Sequence, residues 1–220
     1  MREIQADTGA QPDPVAIPDL LTAQIEHHDL CPDKFIYDAA AGDGKTHALV
    51  AQATQGHTQL VAHLRDYARH ADRFTPDDFG LSEDGRTLTC PNGQTSTIAY
   101  RSGSGDGRTF RFVGCEHCPL AECCRDPKSD PDKMRQVFIS DYRDHLNAAR
   151  AYAQTEDFKA DMKRRPLVER IIACLTRYND ARRARRRGLP HADFQAKLSA
   201  MAFNLKQWMK LLCHAQVVRG

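Results

Sequence analysis

The sequence predicts an α/β fold with a small β-rich insertion and C-terminal helices. First, the apolar run Phe35-Ile36-Tyr37 stands between two helical patterns, as a buried strand does. Second, residues 65–140 are rich in turn-forming residues and contain short β-like runs. Third, apolar residues recur at helical spacing from Asp141 onward. We therefore expect three segments, which are 1–64, 65–140 and 141–220.

The first segment predicts two helices and two strands in alternation. Residues 18–30 are expected to be helical because Ile17, Leu20, Leu21 and Ile25 recur with helical spacing. Asp19 follows Pro18, as is typical of a first helical turn. A strand at 35–37, a helix at 46–53 and a second strand within 57–64 complete this segment.

The insertion and the C-terminal segment differ in their periodicity. Runs at 87–90, 96–100 and 109–113 predict strands, and residues 82–85 and 103–107 have hairpin-turn composition. Later, Val168, Ile171, Ile172 and Leu175 form one helical apolar face. After the break at 188–190, a last helix is predicted by the periodic series Phe194, Leu198, Met201, Ala202, Leu205, Trp208, Met209 and Leu212.

Composition limits the class of protein. The chain has 220 residues and a formal net charge of +2, and it contains no run of 18 apolar residues. Its start lacks an apolar signal-peptide region, so we expect a cytoplasmic protein without a membrane partner. The distribution of charge is more informative, since the five arginines of 182–187 repel one another and favour a phosphate partner. A solvated basic face is the alternative for Arg182, Arg183, Arg185, Arg186 and Arg187.

Five of the eight cysteines lie in the insertion. Cys115-x-x-Cys118 provides two ligands at zinc-binding spacing, and Cys90 with Cys124 or Cys123 would complete a tetrahedral structural site. Reduced, packed cysteines without metal are the alternative, because the second pair is not a C-x-x-C.

The segment Ala39 to Thr46 is close to a phosphate-binding loop. It reads A-A-A-G-D-G-K-T and lies between a predicted strand and a predicted helix. Ala39 replaces the first glycine, however, and no Walker B strand follows. A nucleotide-binding loop and a plain turn after a chemically important Asp38 are both open at this point.

Taken together, these motifs resemble the C-terminal part of a DDE-type insertion-sequence transposase with a cysteine-containing insertion. The resemblance spans most of residues 20–212. It rests on the strand that ends at Asp38, the cysteine spacing, Arg165-x-x-Val168-Glu169, the arginine-rich turn ending in Arg187-Gly188-Leu189, and the late Gln195 with Asn204-Leu205-Lys206.

The resemblance implies an incomplete ribonuclease-H-like domain. It implies that Asp38 and Glu169 are the second and third of three carboxylates that hold two Mg²⁺ (or Mn²⁺) ions for attack on a phosphodiester. Transposon ends and target DNA would be the partners, and Arg165 would join the arginine run in binding them. The first aspartate and its strand have no counterpart here, so we expect an exposed sheet edge, no strand transfer by the chain alone, and dependence on a missing N-terminal part or a homodimer partner.

Two less specific interpretations are retained. Glu169 could be a surface residue paired with Arg165 or Arg170, and Asp38 could be only a turn or cap residue. The chain as a whole could be a zinc-stapled DNA-binding or interaction module without catalysis.

Overall fold

The computed structural model describes residues 3–7, 10–64, 73–125 and 134–217. The chain divides into two compact units. Met1–Leu64 and Ala148–Gly220 form one, which we call the helical unit. Arg65–Asn147 forms the other, which we call the β-rich unit.

The first half of the helical unit is a short α/β layer. It contains α1 (Ile17–His28), β1 (Lys34–Ile36), α2 (Gly44–Ala53) and β2 (Gln59–Val61). The two strands are parallel, with Phe35 opposite Leu60. Both helices cover a small core made by Ile17, Leu21, Ala41, Val50, Leu60 and Ala62.

The second half of the helical unit consists of helices. α4 (Arg143–Ala153) runs across the division between the units, and α5 (Glu156–Met162), α6 (Arg165–Tyr178) and α7 (Leu189–Val217) follow. The Thr155 hydroxyl caps α5 by accepting a hydrogen bond from the Phe158 amide at 3.2 Å. From α5, buried Asp161 contacts Lys34 of β1, with 2.6 Å between Oδ2 and Nζ.

The β-rich unit contains two three-stranded antiparallel sheets. One sheet comprises β3 (Gly80–Leu81), β4 (Leu88–Thr89) and β5 (Thr95–Ser96), and the other comprises β6 (Ala99–Arg101), β7 (Gly107–Phe112) and β8 (Arg135–Ser140). A single helical turn, α3 (Ala121–Cys124), lies between β7 and β8. The core of this unit comprises Phe79, Leu88, Phe110, Phe112, Val137 and Ile139.

Most of the predicted elements are confirmed with shifts of one to three residues, and the mixed helices and small sheets agree with an α/β protein. Two differences stand out. The predicted run 96–100 is two strands, β5 and β6, of different sheets. β8 was not predicted, although Val137 and Ile139 are buried there while Gln136 and Phe138 are exposed, the alternation of a half-buried strand. No helix in the described ranges is long and apolar enough to cross a membrane.

Candidate functional site

Asp38 lies just beyond the carboxyl end of β1. It is exposed and begins a 3-10 turn formed by Ala39–Ala41. Its Oδ1 accepts a hydrogen bond from the Ala40 amide at 2.8 Å. The carboxylate is therefore held in place by the backbone and still faces solvent.

The loop after Asp38 has its own explanation as a packed turn. The Asp43 carboxylate accepts hydrogen bonds from the Thr46 amide and from the Thr46 hydroxyl, each at 2.9 Å. It thus occupies the α2 N-terminus, where a phosphate-binding loop would hold its phosphate. Gly42 is required by packing, because a Cβ there would lie 2.0 Å from the His63 carbonyl oxygen. These contacts favour the plain turn over the nucleotide-binding loop.

Glu169 lies on α6 with its side chain 60% exposed. Its Oε1 is 3.2 Å from Nη2 of Arg165, four residues earlier on the helix. The surrounding apolar side chains of α6 are exposed as well: Leu167, Val168, Ile171 and Ile172. Glu169 thus lies beside an apolar face of α6, and nothing in the described residues covers that face.

The described residues do not contain a formed metal centre. No three or more His, Cys, Asp or Glu side chains within them are placed to hold a metal ion. Asp38 and Glu169 therefore do not belong to an assembled three-carboxylate group, and no third carboxylate joins them in this part of the chain. The same finding gives the predicted zinc site no support.

The arginine run forms the loop between α6 and α7, which we call the arginine loop (residues 179–188). Arg182, Arg183, Arg185, Arg186 and Arg187 are all exposed. Arg185 forms an ion pair with Asp180. Among the described carboxylates, none pairs with the other four arginines, so their charge is directed toward solvent.

Gln195 of α7 shapes this loop. Its Nε2 donates hydrogen bonds to the carbonyl oxygens of Asp180 and Arg183, each at 2.7 Å. Its Oε1 accepts a hydrogen bond from the Arg185 amide at 2.8 Å. One side chain thereby fixes three backbone groups of the loop, a role that its sequence position alone could not reveal.

Lys206 contacts the first residue of the loop. Its Nζ donates a hydrogen bond to Oδ1 of Asn179 at 2.8 Å. Both Gln195 and Lys206 are among the residues that carry the resemblance stated above. In the structure, both side chains form hydrogen bonds that fix the conformation of the arginine loop.

Four of the five insertion cysteines line one small cavity in the β-rich unit. Cys90, Cys115, Cys118 and Cys124 surround a volume of about 20 Å³. Burial raises the pKa of the Cys115 and Cys124 thiols, and the neighbouring thiols raise it further. The Arg135 amide donates a hydrogen bond to Cys115, which opposes that rise.

Two turns bring these cysteines together. Cys90 begins a tight turn in which the Gly93 amide donates to the Cys90 carbonyl at 2.8 Å, and Gly93 has a positive φ of 81°. Cys115 and Cys118 flank a single 3-10 turn. Arg135 also lines the cavity, and its buried Nε has no hydrogen-bond partner among the described residues.

Comparison with known families decides the class of protein. The profile of a family described as "Transposase DDE domain" matches residues 89–209, more than half of the chain. The chain belongs to this transposase family. Comparisons with curated proteins and with solved structures give no significant match.

Family membership carries two general properties. DDE transposases act on DNA, and they generally use divalent metal ions such as Mg²⁺. The matched segment includes Glu169, the arginine loop, Gln195 and Lys206. Asp38 lies outside it.

Proposed function

We propose that the chain supplies the glutamate and a DNA-binding loop of a DDE transposition centre that is completed by another polypeptide segment. The observation that carries the proposal is the family match, because it spans Glu169 and the arginine loop together. Asp38 and Glu169 would be the second and third carboxylates for Mg²⁺ or Mn²⁺, in a domain of ribonuclease-H-like type. The chain alone would not perform strand transfer.

Two features support a centre that needs completion. β1 and β2 pair only with each other among the described strands, whereas parallel sheets normally continue and are covered on both faces. The apolar residues around Glu169 are exposed. A segment that added a strand beside β1 or β2 would continue the sheet. If it also covered α6, it would bury the apolar residues around Glu169 and would supply the remaining carboxylate.

The carboxylate proposal is tested by a probe that detects weak metal binding. Mn²⁺ is titrated into the isotope-labelled full chain, and the paramagnetic broadening of backbone amide signals is mapped. We expect broadening around both Asp38 and Glu169, and its loss in Asp38→Asn or Glu169→Gln. Matched controls are Asp78→Asn, which removes another carboxylate that accepts a backbone hydrogen bond at a 3-10 turn, and Glu156→Gln, which removes another exposed helical glutamate with a basic neighbour. If the broadening persisted in both Asp38→Asn and Glu169→Gln, the assignment of these two residues as metal ligands would be refuted.

The arginine loop is proposed as the DNA contact, together with Arg165. Its charge is exposed and its backbone is fixed, so little ordering of the loop is needed on binding. The test is fluorescence anisotropy with duplex DNA over a range of salt concentrations. Substituting Arg182, Arg183, Arg186 and Arg187 by Gln should weaken binding at least tenfold. It should also reduce the slope of log affinity against log salt by up to about 3.6 units.

A control that removes positive charge elsewhere separates this loop from general electrostatics. Arg86 and Lys163 are exposed and lie outside the loop, so the double substitution Arg86→Gln/Lys163→Gln should leave the salt slope within about one unit. Equal losses per removed charge in both variants would show that DNA binds through overall charge and not through the loop.

One observation favours the second candidate function, a zinc-stapled DNA-binding module without catalysis. The four cysteines line one cavity together with Arg135, whose positive charge opposes the rise in the pKa of the Cys124 thiol. The test is zinc content of the purified chain by mass spectrometry, with Cys118→Ser against Cys213→Ser, an exposed cysteine outside the cluster. The zinc-stapled module would be supported if the wild-type chain held one equivalent of zinc, and if Cys118→Ser lost the zinc while Cys213→Ser kept it. This module also predicts DNA binding that survives the combined Asp38→Asn/Glu169→Gln substitution and shows no Mn²⁺ site.

A further inference from the structure

The outer face of α7 carries a regular apolar stripe, which we call the α7 seam. It comprises Phe194, Leu198, Met201, Leu205, Trp208 and Leu212, and the exposed fractions of these residues run from 46% at Leu212 to 66% at Met201. Their spacing alternates strictly between four and three residues over 19 positions. That is the heptad pattern of a coiled-coil seam, which requires a partner helix of the same period.

The seam is not the face by which α7 packs within its own unit. Ser199, Ala200 and Phe203 are the buried residues of this helix. At 100° per residue their mean direction lies roughly opposite that of the seam. α7 is therefore apolar on both sides, and a helix of that kind is normally covered on both sides.

We propose that the α7 seam binds the α7 seam of a second copy of this chain, with the two helices antiparallel. The spacing of the six residues reads 4-3-4-3-4 in either direction. When a two-fold axis passes at the level of residue 203, Phe194 meets Leu212 of the other copy, Leu198 meets Trp208, and Met201 meets Leu205. All six side chains of each copy then contact the other copy, and every contact occurs twice, as the self-complementary interface of a symmetric dimer requires.

The size of the seam fits a stable pair. Six side chains that each lose on the order of 100 Å² bury roughly 600 Å² per copy. Flanking residues such as exposed Met209 bring the area near the roughly 800 Å² per partner of a standard interface. The dimer does not depend on the carboxylate assignment, and it would place the two arginine loops at opposite ends of the helix pair.

The first test is sedimentation velocity of the full chain over a concentration range, beside Leu205→Lys and Leu211→Lys. Leu211 is the matched control, because it is 69% exposed on the same helix but lies off the seam. We expect a dimer that Leu205→Lys dissociates, with helix content by circular dichroism unchanged, and that Leu211→Lys leaves intact. A wild-type monomer at 100 μM, or a dimer indifferent to Leu205→Lys, would overturn the proposal and leave the seam to a different polypeptide.

The second test concerns the direction of pairing. In the antiparallel register, residue 201 of one copy faces residue 205 of the other. Met201→Glu and Leu205→Lys should each be monomeric alone, and an equimolar mixture should form a heterodimer with one Glu–Lys layer. In a parallel in-register pair, Glu would face Met and Lys would face Leu, so the mixture would stay monomeric. That outcome would refute the antiparallel arrangement.

Discussion

The two units differ in where their largest apolar side chains lie. In the β-rich unit, Phe79, Phe110 and Phe112 are almost completely buried. In the helical unit, α6 and α7 expose residues of the same kind, including Phe194 and Trp208. The β-rich unit thus buries its phenylalanines in its core, whereas the helical unit, besides its small core, presents apolar helix faces that other polypeptide segments would cover.

This difference indicates where the chain depends on partners. A closed core stabilises a unit without help, since burial of apolar area is the main favourable contribution to folding. Exposed apolar helix faces contribute to stability only when something covers them. Core substitutions should therefore destabilise the β-rich unit most. The helical unit should be destabilised most by substitutions at its few tightly packed or hydrogen-bonded positions.

The largest expected effect breaks the closed core. Phe110→Ala removes a fully buried ring between β6 and β8 and should lower the free energy of unfolding by about 3–5 kcal/mol. Phe138→Ala on β8 is the control, because Phe138 is 43% exposed, and it should cost less than about 1 kcal/mol. Urea unfolding followed by circular dichroism measures both, and similar losses would contradict the picture of a closed core.

The next effect concerns the packing of the loop after Asp38 in the helical unit. Gly42→Ala would force a Cβ to within 2.0 Å of the His63 carbonyl oxygen, so the loop after Asp38 must move away from the end of β2. We expect a loss of about 2–3 kcal/mol. Gly103→Ala, where a Cβ meets nothing within 4 Å, should be nearly neutral. Equal thermal shifts for the two variants would show that the loop is not packed as described.

A smaller effect concerns the ion pair that joins β1 to α5. The hydrogen bond from Lys34, and a second one from the Tyr152 hydroxyl at 2.6 Å, hold the pKa of the Asp161 carboxyl below its usual range. Asp161→Asn should therefore lower the free energy of unfolding by about 2 kcal/mol at neutral pH. Asp157→Asn, an exposed position on the same helix, serves as the control.

The pH dependence of this effect has a definite sign. Because the folded-state pKa of Asp161 is lowered, its stabilisation is fully present above the unfolded value of about 3.9. It is lost as the pH falls through the folded-state value. The difference between wild type and Asp161→Asn should thus be constant from pH 7 to pH 5 and shrink below pH 4. A difference that stays constant down to pH 2 would exclude this pair as its source.

Local patterns predicted most elements of the fold, for physical reasons. α1, α6 and α7 were predicted because their apolar residues keep helical spacing. β8 was overlooked because its six residues directly precede the helical region, and the two are separated by only two residues. The separation of 96–100 into β5 and β6 depends on contacts with β7, such as the bond from the Arg111 amide to the Ile98 carbonyl oxygen, and no local pattern encodes such contacts.

The residues of the candidate site come from the sequence, whereas their arrangement could not be predicted. Charge density indicated the arginine loop, and family resemblance indicated Asp38 and Glu169; the roles of these residues stay predictions. The role of Gln195 could not be predicted, since its partners are backbone groups 10 to 15 residues away. Cysteine spacing indicated a cluster, and the four side chains do line one cavity, although not in a metal-binding arrangement.

The smallest expected effect sharpens the contrast between structural and functional residues. Glu169→Gln removes one exposed ion pair, with Arg165, so it should change the free energy of unfolding by less than about 0.5 kcal/mol. Glu156→Gln should behave the same, because Glu156 also pairs with a basic neighbour on its own helix. The two variants should differ only in the Mn²⁺ experiment, in which Glu169→Gln alone abolishes broadening. A loss of more than 1 kcal/mol for Glu169→Gln would instead mean that this carboxylate stabilises the fold, and its exposed position on α6 would need another explanation.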